Sequence, residues 1–349
     1  MSEQPVPRPD QTLNDSQLPP SPPLAPIASS TPPGSDTPHT RYDADECQPE
    51  PPVLEHLGRF EVHGEIGRGG MGAVLRGRDP ALGRDLALKV LLDNHHGDAG
   101  VLRRFHEEAQ IGGQLQHPGL VPVHELGTDG DRPFFAMKLV EGRTLAGLLK
   151  ERPSTADGLP RFLGIFEQVC QAIGYAHSRG VIHRDLKPSN VMVGAFGEVQ
   201  VMDWGLAKVI GGPSTKSTAD TKQNIRTAPG DCAGSESRAG SVMGTPAYMP
   251  PEQARGEIDH LDHRSDVFGL GAILCEILTG KPPFTGRDAN DVVQRAGRGD
   301  VAEAFTRLDG CGVDAELVGL AKACLAPLRA IRPGYNSGRV SFLVESGLS

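Results

Sequence analysis

The sequence predicts an α+β fold: a small antiparallel β lobe carrying one key helix, followed by a larger, mainly helical lobe. Two patterns predict it. β-prone runs broken by glycine and proline turns fill residues 59 to 139, and apolar repeats at three- and four-residue spacing take over from residue 144. A third observation marks where chemistry belongs. The apolar runs Val191 to Val193 and Val199 to Met202 flank Gly194 to Gly197, and predict a hairpin that folds Asn190 back beside Asp203.

Composition excludes several classes of function. The chain has 349 residues, 38% of them hydrophobic, which is enough for a real core. Its formal charge of −9 argues against nucleic acid as a partner, because phosphate contact favours a basic face. No apolar run reaches the roughly 18 residues that a membrane span needs. The N-terminus carries an acid and prolines rather than a basic segment before an apolar one, so no signal peptide is expected. Cys47, Cys170, Cys232, Cys275, Cys311 and Cys324 show neither CxxC pairing nor zinc-type spacing, which predicts reduced thiols and a cytoplasmic protein.

Residues 1–56, rich in Pro, Ser, Thr and Asp, carry too little apolar surface to offset their ordering entropy and are expected to be a disordered tail. Within it, Pro19 to Pro23 and Pro32 to Pro33 have polyproline II character. Order is expected from Leu57. Arg59 to Ile66, Ala73 to Gly77 and Asp85 to Leu91 are predicted strands, with a glycine turn, Gly67 to Gly72, between the first two. A GxGxxG run in a dinucleotide fold must open a helix. Here the β-prone Val74 and Leu75 follow it, and no ribose-binding acid lies at the right distance. Glycine in such a turn lets the backbone approach phosphates that side chains would block.

Lys89, flanked by apolar residues on a strand, needs a buried partner, and the helix predicted over Gly100 to Gln116 offers Glu107 and Glu108. Gly112 and Gly113 lie inside that helix, where each costs roughly 1 kcal/mol against Ala. Val121 to Gly127 and Pro133 to Leu139 complete the strands of the small lobe. Thr144 to Lys150 and Arg161 to Ser178 are predicted helices, the second with Phe162, Ile165, Phe166, Val169, Ile173 and Ala176 along one side. Asp266 starts an apolar helix that Leu278 to Phe284 (LTGKPPF) stops. The long polar stretch Gly211 to Ser241 is expected to be mobile.

The hairpin segment holds most of the chemistry. Asn190 and Asp203 offer oxygen donors suited to a hard cation that keeps several waters, which fits Mg²⁺ with a phosphate. Asp185 is placed to accept a proton from an incoming hydroxyl, and Lys187 to neutralise charge on the group being transferred.

HRDLKPSN (183–190) followed by DWG (203–205) resembles the catalytic and metal-binding loops of a eukaryotic-type protein kinase. The lysine two residues after the aspartate is similar to the serine/threonine branch, and the PEQARG segment and DWG variant look most like bacterial members. The resemblance runs from about Phe60 to Pro333. It implies a bilobal kinase fold over residues 57–335, with a small lobe at 57–138, a large lobe at 141–335 and a short tail at 336–349.

The resemblance further implies ATP as the nucleotide, Mg²⁺ or alternatively Mn²⁺ as the metal, and Ser/Thr hydroxyls of proteins as acceptors, including self-association for trans-autophosphorylation. Asp185, Lys187, Lys89, Glu108 and Thr245 are the implied catalytic set, with Asn190 and Asp203 as metal ligands. The nucleotide would meet Ile66, Gly67, Gly69, Gly72, Val74, Ala87, Lys89, the gatekeeper-like Met137, the hinge residues Lys138 and Val140, and Met192. Arg184 would dock an acidic or phosphorylated activation segment, for which Ser237 and Ser241 beside Arg238 are candidates. Ser214, Thr215, Ser217, Thr218, Thr221 and Thr227 are further ones. Asp266 would brace the catalytic loop, and Arg332 would pair with Glu252.

Two departures stand out. The family usually carries a bulky residue at the position of Gly112 and Phe at that of Trp204, so the missing side chain at Gly112 is expected to make room for the indole. The usual acid before Arg332 is absent, so the last helix is expected to be short or frayed. The competing reading is a pseudokinase that binds partners without phosphotransfer. A small-molecule kinase is disfavoured by the GTPAYMPPE segment.

Overall fold

The computed structural model describes residues 55–95, 97–210, 225 and 243–334. Strands β1 (His56–Leu57), β2 (Phe60–Arg68), β3 (Gly72–Asp79) and β4 (Arg84–Leu91) are joined by tight turns. Helix α1 (Ala99–Gln114) interrupts them before β5 (Val123–Asp129) and β6 (Arg132–Lys138). The six strands form one antiparallel sheet in the order β1-β2-β3-β4-β6-β5. Arg59 links its two edges, with Nη2 2.8 Å from Glu125 Oε2 on β5 and 3.4 Å from the buried Asp79. Strand β1 begins at His56, one residue before the expected start of order at Leu57. It is ordered because Leu57 is fully buried with Phe60 and Phe134, and because Val62 N–H donates to Glu55 O at 2.9 Å.

Helix α1 starts where Asp98 accepts the N–H groups of Gly100 and Val101 at 2.8 and 3.1 Å. It ends two residues before the expected Gln116, as Leu115 turns extended and enters the core ahead of His117-Pro118.

Beyond Leu139 the chain enters the large lobe. Strand β7 (Gly142–Thr144) leads into α2 (Leu145–Glu151), capped by Thr144 Oγ1 on Gly147 N–H, and then α3 (Leu159–Ser178). The apolar repeat of α3 is buried from Phe162 to Ala176 as its spacing predicts. After β8 (Val181–Ile182) come β9 (Val191–Gly194), β10 (Val199–Val201) and β11 (Lys208–Val209). Strands β10-β9-β7 form one small sheet, and β11 pairs with β8. Helices α4 (Pro251–Ala254), α5 (His263–Thr279), α6 (Ala289–Arg298), α7 (Ala302–Asp309) and α8 (Ala315–Cys324) follow.

Helix α5 is the axle of this lobe. It is capped by Asp262 at one end and by left-handed Gly280 at the other, and Phe268, Ile273, Leu274, Ile277 and Leu278 are all fully buried. Ile111 from α1, with Leu115 and Leu120 after it, joins the same core as Trp204 and Val201, so the apolar interior continues from the small lobe into the large one.

Glu252 and Arg332 form the expected bridge, with Nη1 and Nη2 2.6 and 2.8 Å from the two carboxylate oxygens. The activation-segment candidates Ser214 to Ser241, the tail prolines and the stretch after 334 lie outside the described residues. Ile225, described within that segment, packs into the large-lobe core.

Candidate active site

The loop 183–190 is held from below by α5. Asp266 accepts the N–H groups of His183 and Arg184, both at 2.8 Å, and its Oδ2 also meets His177 Nε2 at 2.7 Å. Burial works to raise this carboxyl, but the His177 bond, the nearby His183 and the Arg184 N–H outweigh it and hold Asp266 below its ordinary value. Arg184 takes φ 71°, a left-handed conformation that costs a non-glycine residue energy and is sustained by these anchors. Gln253 on α4 donates from Nε2 to Arg184 O and Met243 O at 2.8 and 2.9 Å. Sequence reasoning missed Gln253 and His177. Neither carries a signal of its own, since their partners are backbone atoms or distant acids.

Around Asp185 the polar side chains converge. Lys187 Nζ donates to Asp185 Oδ2 at 2.6 Å and to Thr245 Oγ1 at 2.7 Å. Thr245 in turn gives its N–H and hydroxyl to Asp185 Oδ1 at 3.1 and 3.2 Å. Asn190 donates from Nδ2 to Asp185 O and Oδ2 at 2.9 and 3.2 Å. Gly244 precedes Thr245 at φ 117°, and a Cβ there would stand 3.0 Å from Gln253 Nε2 and 3.4 Å from Asp185 Oδ1.

The hairpin closes the site from the other side. Val193 pairs with Val199 and Val191 with Val201, and Met202 N–H donates to Asn190 O at 2.9 Å, which sets Asp203 beside Asn190. Asp203 is itself left-handed, at φ 61°. Lys89 Nζ bonds both oxygens of Glu108 at 2.6 and 2.8 Å and lies 3.7 Å from Asp203 Oδ1. Burial disfavours the Lys89 ammonium, yet Glu108 and Asp203 together keep its pKa above the ordinary lysine value. Burial likewise opposes ionisation of Asp203, but Lys89, His183, Lys187 and the Gly205 N–H hold it below the usual carboxylate range. A Cβ at Gly205 would stand 3.2 Å from Glu108 Oε2, 3.3 Å from Asp203 Oδ1 and 3.3 Å from Met71 Cε, so only glycine leaves these groups undisturbed.

The donor chemistry suits a hard divalent cation. Asn190 commits its Nδ2 to Asp185, which leaves Oδ1 as its coordinating atom, and Asp203 supplies an ionised, half-exposed carboxylate.

The glycine turn divides by role. A Cβ at Gly72 would meet Val90 O at 2.5 Å, so that glycine answers to strand packing. Gly67 and Gly70 have open space there, and Gly69 nearly so, so packing does not require glycine at these three positions. Not every N–H of the turn is available. Gly69 N–H donates to Gly72 O at 2.9 Å and so closes the turn itself. Ile66, 53% exposed, stands at a register shift between Glu65 and Gly67.

Val74 pairs with Lys89, and Ala87, buried, with Met137. Met192 lies on β9, and Val140, half-buried, follows the end of β6. Lys138 N–H donates to Pro122 O at 3.1 Å.

One expectation fails. A Cβ at Gly112 would lie 2.7 Å from Val123 Cγ2, and no atom of Trp204 comes within 4 Å of it. The glycine is required by the close approach of β5, not by the indole. Trp204 is buried against His183, with ring centroids 4.6 Å apart.

Beside Trp204, a small cavity of about 20 Å³ is lined by Arg104, Glu107, Glu108, Arg184, Leu206 and Met243 among others. Arg104 Nε and Arg184 Nε are buried without partners among the described residues. Burial lowers the Arg184 pKa against the pull of Asp266. Each guanidinium therefore carries an unsatisfied N–H among the described residues, and Arg104 was not anticipated from the sequence.

A glycine-rich turn, a buried lysine–glutamate pair and an aspartate–lysine–threonine cluster are the parts that a phosphoryl-transfer fold requires. The chain belongs to the protein kinase domain family, which matches residues 60–337, and that family implies ATP as its nucleotide. It is 37% identical over 265 residues to the serine/threonine-protein kinase PknB of Mycobacterium tuberculosis, covering 74% of this chain and 38% of that protein. Against PknB of Mycobacterium leprae it is 37% identical over 274 residues, covering 77% and 40%. Against the serine/threonine-protein kinase PknD of Protochlamydia amoebophila it is 33% identical over 278 residues, covering 76% and 28%. The chain thus spans two fifths or less of the length of these relatives. No helix among the described residues is long and apolar enough to cross a membrane.

Proposed function

We propose that this chain is an active protein-serine/threonine kinase that transfers the γ-phosphate of ATP to Ser or Thr hydroxyls of proteins, itself included. The observation that carries this reading is the Asp185–Lys187–Thr245 cluster, with Asn190 bonded to it and the Lys89–Glu108–Asp203 group across the hairpin. Every position that phosphoryl transfer needs is filled by a side chain of the right chemistry.

Asp185 orients the acceptor hydroxyl and takes its proton. Thr245 and Lys187 fix the carboxylate that does so, and Lys187 offsets charge on the transferred group. Lys89, held charged by Glu108, grips the α- and β-phosphates. Asn190 Oδ1 and Asp203 would hold Mg²⁺, or Mn²⁺ in its place, which when bound neutralises phosphate charge. Ala87, Val74 and Met192 would enclose the adenine, with Met137 behind it, Ile66 over it, and the Lys138 carbonyl and Val140 backbone at its edge. Gly67 and Gly69 let the turn come close to the phosphates, while Gly72, expected to do the same, is required by the packing of β3 on β4. Positioning and electrostatics supply most of the rate, since the reaction needs little covalent help. Arg184 suits a phosphorylated activation-segment residue as its docking cation, and Arg104 of α1 lines the same small cavity, so that modification would be coupled to α1 and to the catalytic loop. Free thiols at Cys170, Cys275 and Cys324 support work in the cytoplasm.

The test is ³²P incorporation from Mg-ATP into the chain and a generic protein acceptor. Wild type should label, while Asp185→Asn and Lys89→Met should fall at least ~100-fold. Equal labelling in all three, or none in wild type across metals and nucleotide concentrations, would mean a pseudokinase-type binding module. Mass-spectrometric mapping of wild type against Asp185→Asn then identifies the modified residues.

A further inference from the structure

The glycine turn between β2 and β3 is held from outside by one side chain. His95 Nε2 lies 2.9 Å from Gly70 O, and since a carbonyl only accepts, the ring donates its Nε2–H. His95 ends a short 3₁₀ turn, Asp93–His95, that follows β4. That turn is anchored in its own right. Arg132 Nη2, at the start of β6, bonds Asp93 Oδ1 at 2.9 Å. Leu92 N–H donates to Met71 O at 3.2 Å, and the N–H of Asp98, which caps α1, donates to His95 O at 3.0 Å. His95 thus bridges the glycine turn and the start of the helix that carries Glu108.

Stability does not account for this contact. His95 is half-buried and its bond to Gly70 faces solvent, where a hydrogen bond adds little to the folded state. What the bond fixes is direction. In a planar trans peptide the N–H points opposite to the C=O, so holding Gly70 O on the His95 side turns the Met71 N–H away from it. The bond from Leu92 to Met71 O does the same for the Gly72 N–H. Met71 is pinned further by its side chain, which packs on the cluster of Leu91, Val101 and Phe105 and brings Cε close to Gly205. Two successive N–H groups are thereby set on one side of the turn, an arrangement that receives an anion.

Resting on the kinase reading given above, we propose that His95 is a positioning residue for the nucleotide: its bond to Gly70 O holds the turn so that the Met71 N–H meets the phosphates of bound ATP. The ring touches no phosphate itself and acts through the peptide it orients.

Calorimetric binding to the full chain carrying Asp185→Asn, which removes turnover from the measurement, tests this with two probes, Mg-ATP and adenosine. His95→Phe keeps a ring but removes the donor. It should raise the Mg-ATP Kd about 5- to 10-fold and leave the adenosine Kd within about twofold, because adenosine has no phosphate for the turn to meet. His95→Gln puts an amide N–H where the ring Nε2 stood, and should restore Mg-ATP affinity to within about twofold of the parent. Thermal melts should show all three chains equally folded. An unchanged Mg-ATP Kd in His95→Phe overturns the proposal. So does equal weakening of adenosine, failure of His95→Gln to rescue, or a parent that binds no Mg-ATP. The kinase reading falls separately: a wild type that binds Mg-ATP with this dependence on His95 yet labels no protein would overturn that reading and leave His95 in its role.

Discussion

Replacing Glu252 by Gln breaks a fully enclosed ion pair of the large lobe. The Arg332 side chain is 0% exposed, and it also donates to Ala326 O at 2.8 Å and to Pro327 O and Arg264 O at 3.1 Å. The substitution keeps the shape but leaves a buried guanidinium without its counter-charge, for an expected loss of ~3–5 kcal/mol. At about 2–4 °C per kcal/mol, that lowers Tm by roughly 6–20 °C. Arg332→Met strands Glu252 and should cost a similar amount. The pair Glu252→Leu/Arg332→Met removes both charges and leaves chiefly the three carbonyls unsatisfied, at about 1 kcal/mol each. The double variant should therefore lose only ~3 kcal/mol, against the ~6–10 kcal/mol obtained by adding the singles. Urea unfolding followed by tryptophan fluorescence is the assay, because Trp204 is the one tryptophan of the chain and is buried beside the catalytic loop. Turnover should fall with the single substitutions too, since Gln253, next to Glu252, ties α4 to Arg184 O. Additive losses, to within ~0.5 kcal/mol, would refute the claim that the pair is a coupled unit.

Gly205→Ala should reduce turnover at least ~10-fold while changing Tm little, because its Cβ crowds Glu108 and Asp203 rather than the core. Gly112→Leu should destabilise by ~1–3 kcal/mol through overpacking. Unfolding midpoints should show rescue by Val123→Ala and none by Trp204→Phe. For Asp266 the folded pKa lies below the unfolded one, so its contribution is complete above the ordinary carboxylate range and is lost as pH falls through the folded value. Thermal melts between about pH 7 and pH 2 should thus show wild type losing stability on acidification more steeply than Asp266→Asn, which starts lower by ~3 kcal/mol or more. Parallel curves would remove Asp266 as the origin of acid sensitivity.

Much of the site was legible because its residues are close in sequence or lie on strongly patterned elements. Asp185, Lys187 and Asn190 share one loop, and the hairpin that brings Asp203 to them needs only two β-prone runs and a glycine turn. Lys89 advertised itself as a charge on an apolar strand, which must find a partner or remain costly. What stayed hidden were contacts between side chains and distant backbone. Gln253 on Arg184 O, His177 on Asp266 and the orphan N–H of Arg104 have no local pattern to betray them.

Gly112 shows the limit most plainly. Its position one turn after Glu108 was legible, but which neighbour came closest depended on how α1, β5 and the large-lobe core settle against one another. The chain by itself determined the elements, their periodicity and the chemistry each carries, because propensity and spacing act over a few residues. Only the tertiary structure decided that Val123 and not Trp204 meets Gly112, and that Gln253 reaches Arg184 O. Such facts arise from the packing of surfaces far apart in sequence, where shape rather than local preference selects the outcome.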